Sequence, residues 1–219
     1  MATVYTLRKT IKPLLFILIA WIFIFAISHI HFTVLTPLRS NLQKYLTVSE
    51  ELPEDKADAL YILGGSTTST ERHIKKAVAL YHQHKTDRIL IFDSKAKCDY
   101  YPLLKRNLTR NEWVIKKLTT GGIPEDQIDI APVKEIFFGT LSEARDVSRY
   151  LRAKKYKSVI LLSSPCHSRR ISETFCHYLK NSNIQMHIAT SNDPFSFSET
   201  ILEFIKVHVY RVIIITAAI

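Results

Sequence analysis

Asp58-Ala59-Leu60-Tyr61-Ile62-Leu63-Gly64-Gly65-Ser66-Thr67-Thr68-Ser69-Thr70 is the stretch on which the fold of this chain turns. Residues 59–63 are apolar without a break, so a strand formed there has both faces covered, as in a parallel sheet. Gly64-Gly65 ends the run in a turn. Small hydroxyl residues then lead into Ile74, Ala77, Val78 and Tyr81, spaced i, i+3, i+4, i+7 along one face of a helix. Strand, glycine turn and amphipathic helix together open a β–α unit.

The unit recurs downstream. Apolar strands are expected at 88–92, 127–130, 159–162 and 184–189. Helices are expected at about 109–120 (ended by Gly121-Gly122 and Pro124), through Leu141, Ala144, Val147 and Leu151, at about 168–179, and from about 199 onward. Five strands alternating with helices predict an α/β fold, a mostly parallel sheet with helices on both faces. Residues 39–57, with Pro53 and the cluster Glu50, Glu51, Glu54 and Asp55, read as a polar, irregular linker. Residues 58–219 then form one domain. Ligands of open α/β sheets sit outside the carboxyl ends of the strands. That directs attention to residues 64–70, 93–98 and 163–170.

Upstream of the linker the composition changes. Residues 13–38 contain no Asp, Glu, Lys or Arg, and residues 14–27 are apolar throughout. About 20 helical residues cross the roughly 30 Å core of a bilayer, so residues 14–35 are long enough to span one. The competing reading is a cleaved signal peptide with a small-residue site at Ala26-Ile27-Ser28; the length of the apolar region favours an uncleaved anchor within residues 1–38. Of the formal charge of +10, Arg8, Lys9 and Lys12 contribute +3 before the apolar run. The 181 residues after it hold 27 basic and 20 acidic side chains, hence +7. The basic flank predicts an N-terminus inside and the main domain outside the cytoplasm. The body has a mild basic excess over a mixed surface, with no basic block and no nucleic-acid motif. Nucleic acid is therefore not an expected partner; an anionic membrane or anionic ligand is. The thirteen apolar-rich residues 207–219 read as the end of a packed helix that could also touch membrane. Three cysteines, Cys98, Cys166 and Cys176, allow at most one disulfide, and no metal-binding spacing occurs.

Each candidate residue also has a plain structural alternative. Gly64, Gly65 and Ser66 let backbone amides approach an anion at a helix N-terminus, with Arg72 nearby; the alternative is an ordinary turn with Thr70 as cap. Ser163-Ser164-Pro165-Cys166-His167-Ser168-Arg169-Arg170 crowds hydroxyls, a thiol, an imidazole and two guanidiniums at one strand end. Ser163, Ser164 and Arg170 suit an anionic oxygen ligand and His167 suits proton transfer; the alternative is a capped helix start with solvated arginines. Asp93 follows the second strand on the ligand side. Thr140-x-x-Glu143 offers a general base, but it is also a capping box, as are Thr109-x-x-Glu112 and Ser196-x-x-Glu199.

The order of these pieces resembles the YdcF/SanA/ElyC family of bacterial envelope proteins over residues 58–189. The resemblance rests on residues 58–65, Arg72, Glu112, Gly122-Ile123-Pro124, Thr140-x-x-Glu143-Ala144 and Leu161-Leu162-Ser163-Ser164-x-x-His167-x-x-Arg170. It implies a Rossmann-like three-layer domain, often carried on an N-terminal membrane anchor. It also implies a polar cluster of Gly64, Gly65, Arg72, Glu112, Thr140, Glu143, Ser164, His167 and Arg170 at one sheet edge. Two positions depart from the pattern: Phe92-Asp93-Ser94-Lys95 replaces a glycine-rich turn, and Gly139 stands where Asn is common. The function so implied is binding or processing of a phosphate-bearing ligand, a small anion or a lipid-linked phosphate, in bacterial envelope or peptidoglycan biogenesis. His167 and Glu143 are the acid/base candidates, no cofactor is implied, and the location is the inner membrane. The alternatives are a non-catalytic membrane-anchored scaffold and a cytoplasmic-facing nucleotide- or methyl-donor-binding protein.

Overall fold

The computed structural model describes residues 21–25, 29, 31–134 and 139–217. They divide into two compact units, Met1–Gln43 and Lys44–Ile219. In the first unit, residues 21–25 are helical with exposed apolar side chains, and a π-helical turn, His31–Leu35, leads into α1, Thr36–Leu46. The segment expected to be a linker thus begins as helix. Much of the expected anchor, residues 14–20, 26–28 and 30, lies outside the described residues. Among the described residues no helix is long and apolar enough to cross a membrane.

The second unit is an α/β fold. Its central sheet contains β1 (Ala59–Ile62), β2 (Ile89–Phe92), β5 (Ile128–Ala131), β6 (Ser158–Ser163) and β7 (Gln185–Thr190), in the order β5-β2-β1-β6-β7. All neighbours are parallel; Leu60 pairs with Ile89 on one side and with Ile160 on the other. The helices are α2 (Thr67–His82), α3 (Arg110–Thr120), α4 (Gly139–Ala153), α5 (Pro165–Leu179) and α6 (Phe197–Ala217). Leu60 and Ile62 point into a core shared with Ile74, Leu80, Trp113 and Leu118 of α2 and α3. Ala59, Tyr61 and Leu63 face Val147, Leu151, Ile171 and Phe175 of α4 and α5. The unbroken apolar run of β1 follows from this: alternate side chains enter two different cores.

A hairpin that the sequence pattern did not suggest, β3 (Lys97–Tyr101) paired antiparallel with β4 (Arg106–Thr109), follows β2. Its exposed side mixes Lys97, Asp99, Arg106 and Asn107 with Tyr100, and a register shift between Lys97 and Tyr100 erases any clean alternation.

The chain moves from β1 out to β2 and β5, then returns to place β6 on the other side of β1. This reversal makes the Rossmann-like switch point, and the crevice of such a sheet lies outside the carboxyl ends of the two strands that flank it. Here those ends are Leu63-Gly64-Gly65 and Ser163-Ser164.

Candidate functional site

Both strand ends run directly into helices. Ser66, not Thr70, is the N-cap of α2: its hydroxyl accepts from the Ser69 amide at 3.2 Å, and the Thr70 hydroxyl donates to the Ser66 carbonyl. Ser164 is the N-cap of α5 and Pro165 stands in its first turn. Proline's fixed φ starts a helix without loss of an amide bond, so the polar stretch 163–170, expected as a loop up to about 168, is already helical at Pro165. A cleft of about 360 Å³ opens between these two helix starts. Gly65, Ser66, Arg72, Ser164 and His167 line it, together with Asp193 and Glu199.

Beneath the cleft, Glu203 of α6 organises the charges. It is 1% exposed, and its carboxylate takes His167 Nδ1 at 2.9 Å and the Arg170 Nε. Arg170 also donates to the Thr140 hydroxyl, which ties α4 into the same cluster. Burial by itself would lower the His167 imidazole, but its bonds to Cys166 and Glu203 and their charge raise it to about 9. Burial likewise opposes ionisation of Glu203, yet His167 and Arg170 bring it down to about 2. His167 is therefore a cation at neutral pH.

A second buried carboxylate, Asp193, anchors the opposite wall. It accepts from Arg72 at 2.8 Å, Ser191 at 2.8 Å and Ser69 at 3.0 Å. Burial would raise it, but these bonds hold it below its ordinary value. His73 lies 3.5 Å from Asp193, and burial lowers its imidazole.

Several expected residues have other settings. Glu143 accepts from the Tyr61 hydroxyl at 2.7 Å and the Gly64 amide at 3.0 Å, bracing the end of β1. Burial, then the Glu143 charge and bond, push the Tyr61 phenol well up. Ser163 is buried, and its carbonyl takes the Ser191 amide at 3.0 Å. Glu112 completes a capping box with Thr109 and forms a two-pronged ion pair with Arg106, at 2.6 and 2.8 Å, on an exposed surface. Asp93 accepts from Asn111 at 2.9 Å and lines a separate cavity of about 860 Å³ beside Arg145 and Tyr150. Structure thus brings Gly65, Ser66, Arg72, Ser164 and His167 to one cleft. Gly64, Thr140, Glu143 and Arg170 stand just behind it, and Glu112 and Asp93 lie elsewhere.

Sequence reading missed Asp193, Glu203 and Arg110, whose guanidinium donates to the Gly65 carbonyl and Thr70 hydroxyl. Glu203 carried a signal: with Thr200, Val207 and Tyr210 it occupies the inward face of α6, where an acid needs a partner. Asp193 follows β7, a fourth strand end on the ligand side. Among the described residues no cluster of His, Cys, Asp and Glu could hold a metal ion, and all three cysteines are free.

Fold and cleft define a Rossmann-like α/β protein with a ligand-sized crevice at its switch point. No family model matches the chain, and no curated protein matches it by sequence. Among solved structures it is similar to the pantothenate synthetase of Thermus thermophilus, with 9% identity and a TM-score of 0.36. The match covers 73% of this chain and 64% of that one, so it spans less than two thirds of the synthetase.

Proposed function

We propose that this protein holds a phosphate-bearing anion in the switch-point cleft, and that it does so as a membrane-anchored protein of the bacterial envelope. The observation that carries the reading is the meeting of two helix N-termini with an imidazole whose bonds to Cys166 and Glu203 favour its cationic form. The N-termini of α2 and α5 supply partial positive charge, although Pro165 offers no amide and the Ser69 and His167 amides are already engaged by Ser66 and Ser164. The Ser164 hydroxyl lines the same wall, and the volume fits a small head group. Guanidiniums contribute less than their number suggests, because Asp193 engages Arg72 and Glu203 engages Arg170. His167, protonated up to about pH 9, serves as cation and proton donor rather than base. Glu143 is occupied by Tyr61 and Gly64 and serves as a brace.

A lipid-linked phosphate is favoured by where the chain enters the α/β unit. Arg169 donates to the Tyr45 carbonyl, the Ser168 hydroxyl to the Leu46 carbonyl at 3.2 Å, and the Val48 amide to Ser168 Oγ at 2.7 Å. The chain that follows the expected span therefore meets the first turns of α5, next to His167, about ten residues after that span ends at 35.

The test is calorimetric titration of the purified full chain with inorganic phosphate and with a short polyprenyl phosphate. His167→Gln should weaken both by about tenfold or more, the value of one charge-assisted hydrogen bond. Affinity in the parent should fall as pH rises through about 9. Equal binding by parent and variant would remove the site assignment. Absence of binding to either probe would favour the non-catalytic scaffold, a reading supported by the carboxylates that already engage Arg72 and Arg170.

A further inference from the structure

We infer that the outer face of α6 lies in the head-group region of a bilayer, making this helix a second membrane contact beside the expected anchor. The inward face of α6 carries Thr200, Glu203, Val207 and Tyr210, all buried. The opposite face carries Ile201, Leu202, Ile205, Val209, Val212 and Ile215, which remain 39–62% exposed. These six form one stripe along the helix, about 21 Å long at the α-helical rise. No charged residue interrupts it. Lys206 and Arg211 sit at its margins, where Lys206 approaches Glu203 and Arg211 bonds Glu173. An apolar stripe of this length is uncommon on a surface that meets only water.

The polar groups within the stripe fit a medium poor in water. The Thr216 hydroxyl donates to the Val212 and Ile213 carbonyls at 3.0 Å, and His208 Nδ1 lies 2.8 Å from the Phe204 carbonyl. The Thr216 hydroxyl thus closes its donor bond on its own helix, as does one of the two ring nitrogens of His208. The helix does not cross the bilayer, since Glu199, Glu203, Lys206 and Arg211 interrupt its hydropathy. An apolar face with charges at its borders is the pattern of a helix lying in the interface.

Bilayer is favoured as the occupant by the point at which the chain arrives. Tyr45 packs on Phe204 at 5.5 Å and stacks on His208 at 6.2 Å, and the Arg211 guanidinium stands 5.8 Å from its ring. Tyr45 lies ten residues after the end of the apolar run at 35, so an anchor in that run tethers the chain that meets α6 to the bilayer by a short length of sequence. The inference rests on residues 14–35 being an anchor.

The experiment places tryptophan on the stripe as Ile205→Trp, and separately as Val212→Trp, in the full chain reconstituted into vesicles. Quenching by lipids brominated at shallow or deep acyl positions is then compared with the parent. The parent's two tryptophans serve as references: Trp21 reports the anchor, and Trp113, 2% exposed, reports the folded core. The expected result is loss of the added fluorescence with shallow bromine and its retention with deep bromine. Quenching of Trp21 without quenching at 205 or 212 overturns the inference and leaves the anchor standing. Shallow quenching at 205 and 212 with Trp21 untouched places α6 at the bilayer without an anchor, and overturns the inference that it is a second contact beside one. Quenching at none of the three overturns both. Protection of 205 and 212 from bromine, with a dimer that Ile205→Asp dissociates, overturns it in favour of a second copy of this chain.

Discussion

Glu112, Glu143 and Glu199 share one local pattern, Thr or Ser three residues earlier, and the fold uses them differently. Glu112 and Glu199 close capping boxes with Thr109 and Ser196. Glu143 does not, because α4 already begins at Gly139 and Thr140 is inside the helix, turned to Arg170. Its carboxylate is released to brace Tyr61 and Gly64. Replacing it leaves those two donors without their acceptor, so Glu143→Ala should cost about 2–4 kcal/mol and Glu143→Gln distinctly less. Urea unfolding of the two variants measures the difference, and an unchanged midpoint for Glu143→Ala would contradict the brace. At the other wall, Glu203→Gln should lower the His167 imidazole from about 9, leaving the part of the rise that its bond to Cys166 contributes. An imidazole NMR titration follows the shift, and a value that stays near 9 would mean that Glu203 is not its cause.

Element ends, more than element interiors, build the cleft. Pro165 in the first turn of α5 makes residues 167 and 170 neighbours on a helix, three apart, so one carboxylate on α6 engages both. The crowding of reactive groups at 163–170 was legible in the sequence, but its helical phase was not, and phase turns Arg170 inward. The β3–β4 hairpin escaped notice because its register shift and mixed exposed side chains leave no clean apolar period to detect. Thr109→Ala removes the cap that starts α3 and should lower stability by about 1 kcal/mol. Arg106→Ala, which breaks an exposed ion pair with Glu112 and an exposed bond to the Asn107 carbonyl, should change it by less than about 1 kcal/mol. Comparing the two by thermal unfolding separates the cap from the surface pair; equal losses would mean that Glu112 acts through Arg106.

Across the whole molecule, the pair of buried Glu203 and half-exposed His167 sets the pH range of stability. The folded value of His167 is raised from 6.5 to about 9, so its contribution is complete below pH 6.5 and is lost as pH rises through about 9. Glu203 is lowered from 4.5 to about 2, so its contribution is present above pH 4.5 and is lost as pH falls through about 2. The two shifts describe one ion pair and are counted once. His73, lowered from 6.5 by burial, removes stability as pH drops below 6.5. Thermal unfolding against pH should therefore peak near 6.5, and Glu203→Gln should flatten the alkaline limb. An alkaline limb unchanged by that substitution would mean that the pair does not set the profile. By itself the sequence determined the alternation of strands and helices, the parallel sheet and the strand ends where the cleft lies, because apolar runs, glycine turns and helical periods are local properties. Only the tertiary structure decided which charges meet. Asp193 and Glu203 lie 121 and 33 residues from the arginines they engage, and such distant pairings are fixed by how β7 and α6 pack, which no local pattern encodes.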